Sequence, residues 1–543
     1  MTQARPFQDY PSEQIMRRIE REPLLPNIGT LISDAARRHG DHPALVFFDD
    51  DETVTYRELD ERVSRLADSL ARLGVGHGSH VGIMVHTQAY YPITWLAVAR
   101  LGAVTVPINY NYTSRELHYM LTDAAARFLV IDHALLPTLD GMESQPLPKD
   151  RIVVVGADVP GYAHRWETLV ASGRADFVPA KQPTQDDLMN IQFTSGTTGL
   201  PKGAMLVQRY WLMVGRVAAA VSHDQAKAVL IAQPFYYLDA QWLLLMSIYQ
   251  GATAYVAKKM SATRFFDWVK KYKISVCNFP EVVSKQPESP ADKDNELKVI
   301  YSWGHRPQNY AWYEKRYGCT ARQGFAMTET GWATYWPLEA EQMMGKASVG
   351  IPAAFREAMV ADENGKEVPP GQEGELCVRG PGILLGYYNK PEATAKAFHP
   401  GGWFRTGDAA RKDAEGWFYY LGRRKDMVKR AGENISAVEV EGVLRGLPDV
   451  LEAAVLPVPD ETRGEEVKAY LLLRPGKTQK DVPPEMVLAH CEKNLARFKI
   501  PRYLEYVTEF PRTPSLKIKK SALTAAKPDL RIGAHDRVDG TWR

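Results

Sequence analysis

Hydroxyls, glycines and a lysine crowd one stretch of this sequence, Phe193-Thr-Ser-Gly-Thr-Thr-Gly-Leu-Pro-Lys-Gly203. Gly196, Gly199 and Gly203 let the backbone approach an anion, and N–H groups exposed there form a nest for phosphate oxygens. Thr194, Ser195, Thr197 and Thr198 add donors, and Lys202 adds a movable positive charge. Phosphate binding is the chemistry this segment suits. It is not the Gly-x4-Gly-Lys-Ser/Thr loop, because Lys202 follows Gly-x-Pro and no Ser or Thr comes after it. Other short segments are ordinary when taken alone. Thr328-Glu329 is a common helix start, and Thr406-Gly407-Asp408 is a turn.

The elements that must hold these residues form an alternating series. Thr55 to Leu73 has apolar residues at helical spacing behind a Thr that can cap it, and Tyr91 to Leu101 reads as a second helix. Short apolar runs read as buried strands at Val81–Val85, Val104–Ile108, Phe128–Ile131, Ile152–Val155, Val229–Ala232, Ala254–Val256 and Val276–Phe279. Strands separated by helices argue for α/β layering with largely parallel sheets. From Gly371 the texture turns to short strands between Gly and Pro, which suggests a β-rich subdomain. Beyond residue 425 a compact α+β pattern begins, with helices at Val438–Arg445 and Met486–Leu495 and strands at Val450–Val458 and Val467–Leu473.

Bulk properties bound the class. A chain of 543 residues is too long for one core, so at least two domains are expected. A formal net charge of +2 gives no push towards nucleic acid. Cys277, Cys319, Cys377 and Cys491 are far apart, which points to neither a disulfide framework nor a zinc site. The first residues, MTQARPFQDYPSEQ, lack the apolar run of a signal peptide, and the most apolar stretch, Ala228 to Ala257, is broken by Pro234, Asp239 and Gly251. A cytoplasmic enzyme without a membrane span is expected.

Several segments, in order, resemble the adenylate-forming superfamily of acyl-CoA synthetases, nonribosomal peptide adenylation domains and luciferases. The phosphate loop resembles its signature. The resemblance extends through Gly324-Phe325-Ala326-Met327-Thr328-Glu329, Thr406-Gly407-Asp408, Gly422-Arg423-Arg424-Lys425-Asp426, Lys429-Arg-Ala-Gly432-Glu-Asn-Ile435 and Pro511-Arg-Thr-Pro-Ser-Leu-Lys517. It implies a large N-terminal adenylation domain over residues 1–424 and a small mobile C-terminal α+β domain over residues 425–543, with a hinge at Lys425. It also implies ATP, Mg²⁺ and coenzyme A. Thr194 to Gly199, Lys202, Gly304, Gly324 and Phe325 would then hold the nucleotide, Thr328 the adenylate phosphate, Glu329 the Mg²⁺, and Asp408 and Arg423 the ribose. Lys429 and Gly432 would face the thioester-forming site, and Lys517 would bridge the attacking carboxylate and the α-phosphate. Leu516 stands where the family has a glycine.

The implied reaction joins a small carboxylic acid to AMP and then to the thiol of coenzyme A. The acid pocket is expected from Tyr236, Tyr237, Trp242, Trp303, Ala326 and Trp332, with Tyr237 in place of a common gating histidine. Bulky Trp303 and Trp332 suggest a closed pocket. His305 or Arg306 could read a polar or anionic group, whereas Asp239 is one position off the site expected for an amine partner. The C-terminal run looks most like the carnitine/crotonobetaine–CoA ligase branch. The alternatives are an adenylation enzyme that loads a carrier-protein phosphopantetheine, a catalytically inert nucleotide-binding regulator, and a luciferase-type oxygenase. A homodimer is left open.

Overall fold

The computed structural model describes residue 7 and residues 9–194, 201–303, 309–423, 427–512, 518 and 520–543. Two sheets in the N-terminal part are mostly parallel, as alternating strands and helices require. One runs His164–Arg165, Ile152–Val155, Phe128–Asp132, His80–Met84, Val104–Pro107, Leu188–Thr194 and Lys202–Val207 in spatial order. The other runs Thr320–Arg322, Val299–Tyr301, Val276–Asn278, Ala228–Ile231, Thr253–Val256, Pro43–Phe47 and Glu52–Thr55. Helices pack on both. Tyr56–Arg72 starts in a capping box in which Thr55 and Glu58 satisfy each other's backbone N–H groups. Leu238–Gln250 is almost wholly buried and lies between the strands Ala228–Ile231 and Thr253–Val256. The apolar stretch at Ala228–Ala257 is therefore a strand, a core helix and a strand. Among the described residues no helix is long and apolar enough to cross a membrane.

A third sheet, wholly antiparallel, is the β-rich part. It runs from the hairpin Gly324–Met327 and Gly331–Tyr335 through Ser348–Pro352, Phe418–Arg423, Trp403–Lys412 and Glu373–Arg379 to Glu357–Ala361. A fourth sheet collects strands between Met427 and Trp542 around its own apolar core, which includes Val428, Val455, Leu471 and Leu504. Its outer hairpin, His535–Asp536 and Thr541–Trp542, lies beyond the stretch that carried the resemblance. The four cysteines are buried.

Candidate functional site

The phosphate segment joins two antiparallel strands. Thr194 pairs with Lys202 and Phe193 with Gly203, so a hairpin closes its base. Gly203 cannot carry a side chain there, because a Cβ would lie 2.4 Å from the Ile191 side chain. The strand also receives the segment around Tyr387: the Tyr388 N–H donates to Gly203 O at 2.8 Å, and the Leu385 N–H donates to Met205 O at 2.9 Å. That pairing brings in a residue the sequence did not flag. Lys202 Nζ lies 4.5 Å from the centre of the Tyr387 ring. The Tyr387 hydroxyl donates to Glu329 Oε1 at 2.9 Å.

Glu329 sits in the turn between Gly324–Met327 and Gly331–Tyr335 and is 6% exposed. Gly331 makes that turn with φ of +64°, and a Cβ there would meet Val214 at 2.6 Å. Thr194 Oγ1 adds a weak donation to Glu329 Oε1 at 3.4 Å. Both donors use Oε1, and among the described residues none reaches Oε2. One carboxylate oxygen thus keeps its lone pairs for a hard cation, which fits Mg²⁺ shared with substrate phosphates.

Asp408 lies at the far side of the same opening, in the strand Trp403–Lys412, and is 2% exposed. Its neighbour across the sheet is Arg423. The Tyr420 hydroxyl donates to Asp408 Oδ1 at 3.3 Å, and Phe325 packs 6.2 Å from the Tyr420 ring. Gly324 is fixed sterically, since a Cβ would come within 2.3 Å of Thr334 O.

A third wall is aromatic. Trp332 packs edge-on against Trp242 at 5.5 Å and against Trp303 at 4.9 Å. Tyr236 and Tyr237 lie 4.6 Å apart, and Tyr110 meets Tyr236 at 5.2 Å. Within this wall Asp239 accepts a hydrogen bond from Asn278 Nδ2 at 2.9 Å. Burial raises the Asp239 pKa against the pull of its contacts with Trp242 and Asn278. Among the described residues it makes no ion pair.

The C-terminal part also lines this opening. Its hairpin of Met427–Arg430 and Glu433–Ser436 brings Lys429, Gly432 and Glu433 to the opening. Gly432 has φ of +87° and nothing within 4 Å of a would-be Cβ. One cleft of about 3120 Å³ is lined by Thr194, Lys202, Gly324, Phe325, Ala326, Thr328, Glu329, Asp408, Lys429 and Gly432, and by the expected acid-pocket residues Tyr236, Tyr237, Trp242, Trp303 and Trp332. Ser195, Gly196, Thr197, Thr198, Gly199, Gly304, His305, Arg306, Lys425 and Lys517 lie outside the described residues. Tyr387, Asp239 and Glu433 also line the cleft.

A two-domain enzyme whose cleft gathers the hairpin base at Thr194 and Lys202, the buried Glu329 and a wall of aromatic rings is the class this geometry suits. The family comparison agrees. The model for AMP-binding enzyme matches residues 32–388, and that for the AMP-binding enzyme C-terminal domain matches residues 439–517. The chain belongs to the AMP-binding enzyme family, the adenylate-forming superfamily. The crotonobetaine/carnitine–CoA ligase of Salmonella typhi is 30% identical over 523 residues, covering 92% of this chain and 98% of that protein. Its Salmonella arizonae counterpart is 31% identical over 90% of this chain and 97% of its own length. Among solved structures, o-succinylbenzoate–CoA synthetase from Bacillus subtilis matches with a TM-score of 0.79 at 23% identity, covering 93% of this chain and 99% of its own. A Mycobacterium tuberculosis fatty acyl-CoA synthetase matches with a TM-score of 0.65 at 27% identity, covering 92% and 98%.

Proposed function

We propose that this enzyme, an AMP-forming acid–thiol ligase, activates a short carboxylic acid that also carries a cationic group. The reaction consumes acid, ATP and coenzyme A and yields acyl-CoA, AMP and pyrophosphate. One observation supports the assignment of roles above all: Lys202, Glu329, Asp408 and Gly432 come from distant parts of the chain, yet they line a single cleft.

A carboxylate is a poor acyl donor because its leaving group would be oxide. Exchange of that oxide for AMP makes it a mixed anhydride. The carboxylate oxygen attacks the α-phosphorus and pyrophosphate leaves. Lys202 and Lys517 stabilise charge on the phosphoryl oxygens, and Thr328 binds the adenylate phosphate. Glu329 would hold the Mg²⁺, which would supply charge neutralisation on the phosphates. Asp408 and Arg423 take the ribose. The C-terminal domain then turns about Lys425, and Lys429 and Gly432 face the incoming pantetheine. The CoA thiol attacks the acyl carbon and AMP departs. Free coenzyme A is favoured over a carrier protein because the relatives are named as CoA ligases. ATP and coenzyme A as co-substrates suit a cytoplasmic enzyme.

The acid follows from Asp239 and its surroundings. Crotonobetaine and carnitine, the acids in the relatives' name, are betaines that pair a quaternary ammonium with a carboxylate. A carboxylate among indole rings, with no ion pair among the described residues, fits such a cation. An acid panel read by pyrophosphate release with ATP, Mg²⁺ and CoA tests the reading. It should contain crotonobetaine, carnitine, their uncharged isosteres and dicarboxylic acids. Turnover of dicarboxylates with none of the betaines would overturn the acid assignment, and no acid-dependent pyrophosphate release would overturn the ligase.

A further inference from the structure

The cleft holds a carboxylate that the mechanism above leaves idle. Glu433 follows Gly432 in the hairpin and lines the cleft. Its Oε2 is buried and has no hydrogen-bond partner among the described residues. Six other carboxylates that line the cleft are engaged. Asn278 holds Asp239, Tyr387 holds Glu329, Gly407 and Arg405 hold Glu375, Tyr420 holds Asp408, Lys499 holds Glu439, and the Lys429 N–H holds Glu465.

We propose that Glu433 is the general base of thioester formation, taking the proton from the CoA thiol as the sulfur attacks the acyl-adenylate. The inference rests on the ligase reading. A thiolate, not a thiol, is the nucleophile, and a free thiol ionises near ~8.5, so little is ionised at neutral pH. Gly432 leaves open space beside the hairpin for the pantetheine arm, and Glu433, the next residue, faces Tyr236 of the expected acid pocket. The proton moves from sulfur to Glu433 Oε2. The sulfur electron pair forms the S–C bond, the acyl C–O bond breaks, and its pair leaves on the phosphate of AMP. Glu433 returns its proton to water when the cleft opens.

The surroundings suit a base that works near neutrality. Burial pushes the Glu433 carboxyl up to about 7, with Lys499 pulling it back down. The phenols facing it, Tyr110, Tyr112 and Tyr236, are held protonated first by burial, and the charge of Glu433 adds to this. A base whose pKa lies near the working pH transfers protons most effectively.

Single-turnover kinetics test this. Each enzyme is charged with ATP, Mg²⁺ and the acid chosen by the panel, pyrophosphate is counted, and CoA is then added at pH 6.5 to 9.5. Glu433→Gln should release pyrophosphate at the wild-type rate. It should form thioester about 100-fold more slowly at pH 7, and approach wild type near pH 9, where the thiol ionises unaided. Glu433→Asp should recover part of the rate at pH 7. A loss of equal size at every pH, or no loss at pH 7, overturns the proposal. A wild-type enzyme that releases pyrophosphate yet makes no thioester instead refutes the CoA reading itself.

Discussion

Lys499 Nζ lies 2.9 Å from Glu116 Oε1 and ties the C-terminal domain to a helix that is 383 residues away in sequence. Glu439 takes the same ammonium at 2.8 Å, and the Tyr112 ring lies 4.7 Å beneath it. Lys499 is 3% exposed. Burial alone would lower its pKa, but Tyr112, Glu439 and Glu116 more than reverse that. Glu439 belongs to the same domain as Lys499, whereas Glu116 and Tyr112 do not. If that domain turns away, Lys499 keeps one carboxylate and loses the other.

Glu116→Gln is therefore the clean probe of this contact. Glu116 also closes the capping box of the helix Ser114–Asp123, where its Oε2 accepts from the Thr113 N–H at 2.9 Å. Gln serves equally well in a capping box, so the fold is kept and only the charge is lost. Breaking one partner out of a buried pair costs about 3–5 kcal/mol, and Gln keeps part of the hydrogen bonding. Thioester formation should slow about 10- to 100-fold, while pyrophosphate release is unchanged or faster. Stopped-flow assay of the two half-reactions checks this, and equal slowing of both would reject a state-selective contact.

Much of the scaffold was legible in the sequence. The capped helix at Tyr56–Arg72 and the buried strands at Phe128–Asp132 and Ile152–Val155 carry strong local signals: a capping box, and apolar runs of the right length. Glu329, Asp408 and Lys202 stood out because short motifs surround them. Tyr387 did not, since its role comes from a segment that pairs onto the strand Lys202–Val207 from 180 or so residues further on, and a lone Tyr carries no local mark. Glu433 was passed over for a different reason. Its neighbour Gly432 looked functional, but only the burial of Glu433 Oε2 sets it apart from a solvated acid.

Tyr387 gives the second prediction. Its hydroxyl donates to the carboxylate expected to bind Mg²⁺, and its ring underlies Lys202. Tyr387→Phe keeps the ring and removes the donor. A hydrogen bond to a charged group is worth about 1.5–3 kcal/mol, so kcat/KM for Mg·ATP should fall on the order of 10- to 100-fold. Titration with Mg²⁺ should show a weaker half-saturation. Loss with no change in Mg²⁺ dependence would mean that the phenol acts only through packing.

Asp239 tests the substrate class. Asp239→Asn is nearly isosteric and keeps an oxygen that can accept from Asn278. A cationic acid should lose about 1–3 kcal/mol of recognition, roughly 10- to 100-fold in kcat/KM, because the desolvated charge loses its partner. The uncharged isostere of the same acid should be unaffected or improved. Competition between the two acids for one enzyme gives the ratio directly, and an unchanged ratio would remove Asp239 from the acid site.

Lys517 is expected to serve only the first half-reaction. Its flanks are anchored within their own domain: Arg512 pairs with Glu452 at 2.7 Å, and Lys520 pairs with Glu441 at 2.6 Å. Neither Arg512 nor Ile518 lines the cleft, whereas Lys429 and Gly432 of the same domain do. This arrangement suits thioester formation. Lys517→Ala should slow acyl-adenylate formation about 100- to 1000-fold, the usual loss for one electrostatic contact to a transition state. Thioester formation from supplied acyl-adenylate should stay within a few-fold of wild type. Lys425→Pro should do the reverse, leaving pyrophosphate release intact and blocking thioester formation, because a fixed φ at the hinge denies the turn. Were both variants to slow both steps alike, the two halves of the reaction would share one domain arrangement, and the alternation assigned to Lys425 would be wrong.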